Sequence, residues 1–97
     1  MNTANLQLEG LLVAMSTVLR IATQSGLVQP GQVSSLLDAA ESQVLADGGR
    51  TESLTPAQVD AICFPIRYLR AAAAKPDQSL RFSDVAAEVH RTKPPHP

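Results

Sequence analysis

An all-α fold is predicted for this chain: a small antiparallel bundle of three long helices plus one short C-terminal helix. Three observations predict it. Apolar residues recur at three- and four-residue spacing in four separate segments, no run alternates apolar and polar residues with strand composition, and capping or breaking residues bracket the segments. Short connections between the segments favour antiparallel neighbours.

The first helix is expected from about Ala4 to Gln24. Leu8, Leu11, Leu12, Met15, Val18, Leu19 and Ala22 align on one helical face and form its expected core stripe. Gly26 suits the position just past the end, where a left-handed backbone costs glycine nothing, and Leu27 sits where a Schellman motif places its apolar contact. Leu6, Val13 and Ile21 fall off the stripe and mark a candidate second contact surface.

The second helix is expected from Pro30 to Ala46, with proline in the first turn, where its missing N–H is no loss. Val33, Leu36, Leu37, Ala40 and Val44 form its narrow stripe. Asp38 and Glu41 point away from that stripe as solubilising groups, and Gly48-Gly49 ends the helix.

The third helix has the strongest start signal. Thr55 is the N-cap, Pro56 opens the first turn, Gln58 completes a capping box, and Leu54 with Val59 forms a hydrophobic staple. Apolar positions stay in phase across Pro65 as far as Ala74. A continuous helix kinked at Pro65 is therefore expected, even though an internal proline costs about 3 kcal/mol. Its apolar arc is wide enough to be central in the fold or shared with a partner, leaving Asp60 and Arg67 on a narrow polar strip. Phe64 and Tyr68, four residues apart on its flank, join Leu6, Val13 and Ile21 as candidate interface residues.

The last helix is short, with Ser83 as its expected N-cap and Phe82, Val85, Ala86 and Val89 at helical spacing. A helix of this length must dock on the others to persist. Residues 1–93 are read as one helical domain and 94–97 as a flexible, Pro-rich tail.

Chemistry is sparse. The chain has 97 residues, one Cys, two His and no Trp, and its core must come from Leu, Val, Ile, Ala and Met. Cys63 sits at a core position, where apolar burial raises a thiol pKa, and no base is placed to activate it. One Cys and two His cannot assemble a typical structural zinc site, and no phosphate-cradling or dinucleotide-binding loop is present. No enzyme activity, cofactor or metal is expected.

The net charge of −1 is unevenly spread: residues 1–60 hold two Arg against six acids, and residues 61–97 hold six basic residues against three acids. Opposite-signed halves attract within a fold or across subunits. Arg67, Arg70, Arg81 and Arg91 form a candidate basic patch. "FSDVAAEVH" has the spacing of the first helix of a helix-turn-helix unit, but no recognition helix follows it. The near-zero net charge also argues against dedicated nucleic-acid binding.

The apolar run Leu11–Met15 is too short, and Arg20 too close, for a membrane span, and the N-terminus lacks the positive region of a signal peptide. A cytoplasmic location is expected, since a single cysteine calls for no oxidising compartment. A small, alanine-rich domain gains from further burial by self-association. The expected function is a non-enzymatic helical protein–protein interaction module forming a homodimer. The alternative is a small regulator contacting nucleic acid through the basic C-terminal half.

Overall fold

The computed structural model describes residues 2–75 and 77–92. The tail expected at 94–97, and the domain boundary at 93, lie outside the described residues. Among the described residues five helices and no strand are found: α1 (Thr3–Gln24), α2 (Pro30–Ala46), α3 (Gly48–Thr51), α4 (Pro56–Ala74) and α5 (Phe82–Thr92).

Local hydrogen bonds explain most of the boundaries. Asn2 Oδ1 accepts from the Ala4 amide at 2.8 Å and caps the start of α1. At its end Gly26 takes φ +78°. The Leu27 amide donates to Ala22 O at 3.0 Å and the Gly26 amide to Thr23 O at 3.2 Å, the two bonds of a Schellman motif. The apolar contact expected of Leu27 is not made, because that side chain is 79% exposed. At the start of α4 the capping box is complete. Gln58 N donates to Thr55 Oγ1 at 3.2 Å, and Thr55 N donates to Gln58 Oε1 at 2.9 Å.

Two boundaries differ from expectation. Gly48-Gly49 does not simply end α2, because it opens the four-residue α3. There Asp47 Oδ1 accepts from Arg50 N at 3.2 Å, and the Asp47 carbonyl accepts from Thr51 N at 2.8 Å. Helix α5 starts at Phe82, ahead of the expected Ser83 cap. The Arg81 carbonyl accepts from the Asp84 and Val85 amides, and the Arg81 side chain pairs with Asp84 at 2.9 Å. Docking explains the early start, since the Phe82 ring stacks on Tyr68 with centroids 5.5 Å apart.

Helix α4 continues unbroken through Pro65 and packs against α1, α2 and α5. Its wide apolar arc is thereby used inside the fold. The core gathers Leu12 of α1, Tyr68, Leu69 and Ala72 of α4, and Val85 and Val89 of α5, flanked by half-buried Leu19, Leu37, Phe64 and Phe82. Cys63 and Val33 are buried as well. The connection from α4 to α5 is held from α1. Arg20 donates to Gln78 O at 2.7 Å and to Lys75 O at 3.3 Å, placing a cation beside the C-terminal end of α4. Gln78 in turn donates to the Ala71 carbonyl.

Candidate interaction surface

The α2–α4 contact is charged: Glu41, expected to face solvent, is half-buried in it, whereas Asp38 stays exposed as expected. Arg67 Nε donates to Glu41, and its Nη1 reaches Asp60 Oδ1 at 3.2 Å. Arg70 Nη1 reaches Asp38 at 2.7 Å and Glu41 at 3.0 Å. The pair at the centre is well covered, the side chains of Arg67 and Glu41 being 13% and 16% exposed. Burial alone pushes the Glu41 carboxyl upward, but hydrogen bonds and charge from Arg67 and Arg70 outweigh it and hold that group below its ordinary value. The acidic N-terminal part and the basic C-terminal part thus meet within one molecule.

This accounts for the candidate basic patch. Arg67 and Arg70 are brought together and turned toward α2 acids. Arg81 pairs with Asp84 at one end of α5, and Arg91 pairs with Glu88 near the other. Each of the four has an acidic partner. A hollow of about 200 Å³ between α4 and α5 is bordered by Arg67, Arg70 and Glu88, all of them engaged in these pairs.

Cys63 is fully buried. Burial pushes its thiol pKa up, only partly opposed by the charge of Arg67. Among the described residues no group of three or more His, Cys, Asp or Glu is placed to hold a metal ion.

The most informative surface lies on α1. Of the expected core stripe only Leu12 is buried, joined by Ser16, with Leu19 half-buried against the core. Leu8, Leu11, Met15 and Val18 remain exposed, Leu11 at 56% and Val18 at 65%. At about 100° per residue, these four centre roughly 100° around the axis from Leu12 and Ser16. The helix is rotated so that its most apolar side faces outward. The exposed Leu8, Leu11, Met15 and Val18, extended by Ala4 and the half-buried Ala22, follow a strict 3–4 alternation, the spacing of an a/d seam in coiled coils. Neither margin of the seam carries charge, with Gln7, Ala14 and Ile21 on one side and Asn5, Leu12 and Leu19 on the other.

The five candidate interface residues are not on this seam. Leu6 and Ile21 are exposed and Val13 is half-buried, on a side of α1 turned roughly 120° from the α4-facing side. Tyr68 is fully buried in the core and offers no surface. Its hydroxyl has no hydrogen-bond partner among the described residues. Phe64, half-buried, lines a groove of about 460 Å³ between the N-terminal halves of α1 and α4, together with Leu8, Leu12, Phe82, Glu9 and Asp60.

Helix α1 is also long and apolar enough, by length and composition alone, to cross a bilayer. The short run Leu11–Met15 did not reveal this, because the apolar positions are dispersed over the whole 22-residue helix.

Comparison of the chain with protein-family models, with curated proteins and with solved structures finds no match.

Proposed function

We propose that the protein is a non-enzymatic helical interaction module that self-associates, a second copy docking on the outward seam of α1. The exposed 3–4 alternation of Leu8, Leu11, Met15 and Val18 carries this proposal. An unpartnered seam of this period fits another helix of the same period, and this chain supplies one. An antiparallel pairing centred near Val13 sets Leu8 against Val18 of the second copy, Leu11 against Met15 and Ala4 against Ala22. The pattern is therefore self-complementary under a two-fold axis. With no charge on either margin, two copies meet without like-charge cost.

Within each copy the long helices run antiparallel, as their short connections favour, and α4 bends at Pro65, whose ring crowds the Ala61 carbonyl. Membrane insertion of α1 is the competing use of the same residues. It would pull Leu12 and Ser16 out of the fold and break the Arg20 bonds to Lys75 and Gln78. Nucleic-acid binding is disfavoured by the acidic partners of all four candidate arginines.

Sedimentation equilibrium tests the proposal. The natural chain should be a dimer at concentrations of about 100 µM, the weak range expected for one helix–helix seam. Val18→Asp should give a monomer with an unchanged helical circular-dichroism spectrum. A monomeric natural chain at that concentration, or flotation with neutral phospholipid vesicles in place of dimerisation, would overturn it.

A further inference from the structure

We propose that the groove between α1 and α4 binds a small organic cation, an ammonium group carried on an apolar body. Its volume of about 460 Å³ lies in the range that holds small ligands. Leu8, Leu12, Phe64 and Phe82 supply apolar walls, two of them aromatic, and aromatic rings attract cations. The charged residues on the lining are Glu9 and Asp60, with no cationic side chain among them. Asp60 is joined to Arg67, which it shares with Glu41.

Glu9 is half-buried, and its carboxylate makes no hydrogen bond or ion pair with another described residue. Behind the groove, Tyr68 stacks on Phe82 and contacts Phe64.

These features separate three classes of ligand. An anion would meet two carboxylates. A neutral apolar molecule would strip water from Glu9 and leave its charge unanswered, which is costly. An ammonium on an apolar body fills the walls and answers that charge together. The groove lies on the α4 side of Leu8. Leu8 borders both the groove and the seam, whereas Glu9 and Ala61 belong to the groove alone, so substitutions at those two read the groove without touching the seam.

The test is an amide-resolved NMR titration with three molecules sharing one body: 3-phenylpropylammonium, 3-phenylpropanol and 3-phenylpropanoate. The cation should give saturable shifts at Glu9, Ala57, Ala61 and Phe64, and should bind at least about tenfold more tightly than the alcohol or the acid. Glu9→Gln should bring the cation down to the level of the alcohol. Ala61→Leu, filling the groove from an exposed helical position, should remove binding of both. Glu9→Gln, which lies off the seam, should leave sedimentation unchanged, so its effect on the cation reads the groove and not self-association. Equal affinity for cation and alcohol, no effect of Glu9→Gln, shifts mapping elsewhere, or no shifts up to about 10 mM would each overturn the proposal.

Discussion

Glu41 shows what a single residue does here. On sequence it is one more acid on the polar face of an amphipathic helix, yet it lies between two α4 arginines with little exposure. Its folded pKa lies below the ordinary 4.5. Between the unfolded value and that lower folded value, the unfolded chain therefore holds more protons. Stability from this group is complete above the unfolded pKa and is lost as pH falls through the folded one. Glu41→Gln should cost about 2 kcal/mol at neutral pH, because Arg67 loses its most buried partner. It should also flatten the acid limb of stability against pH. Denaturant unfolding from neutral to acid pH checks both, and an acid limb of unchanged slope would refute the assignment. Cys63 moves the other way: burial raises its pKa and removes it from surface chemistry.

At the scale of elements, α1 and α4 contrast. Helix α4 is apolar over a wide arc because it touches three neighbours, so its breadth needs no external partner. It also carries an internal proline that leaves the Ala61 carbonyl without its helical donor. Pro65→Ala should restore that bond and raise stability by about 1–3 kcal/mol, read from the thermal midpoint. A lowered midpoint would mean that ring packing outweighs the missing bond. Helix α1 looks on sequence like an ordinary core helix. Its 3–4 spacing is the same whether the stripe faces the core or solvent, and periodicity does not report the rotation of a helix about its axis. Glu9 and Arg20 are the residues that betray the rotation, since both are half-buried on the side that faces inward. Arg20 is there because it binds the carbonyls after α4.

At the scale of the molecule, the uneven charge along the chain is spent inside the fold, in the pairing of α2 acids with α4 arginines. Leu36, expected in the buried stripe of α2, and Leu45 stay exposed, and so does the outward seam of α1. If a second copy covers it, folding and association are linked, and the thermal midpoint of the natural chain should rise with protein concentration. The midpoint of Val18→Asp should not. A concentration-independent midpoint in the natural chain would count against the dimer even where crystals paired α1 with itself.

Four of the five helices, and most of their ends, are legible in local residues, α3 being the exception. Thr55 with Gln58, Pro30, and Gly26 act through bonds and backbone preferences that close within a few residues. The sequence by itself also placed Cys63 among buried positions. Only the tertiary structure decided which side of each helix is used. The Phe82 ring stacked on Tyr68 drew the start of α5 forward, the α4 arginines covered Glu41, and Arg20 held α1 with Leu11 and Val18 facing out. The physical reason is one of range. A cap is satisfied by neighbours in the chain, whereas the rotation of a helix is set by contacts with groups as many as 58 residues away.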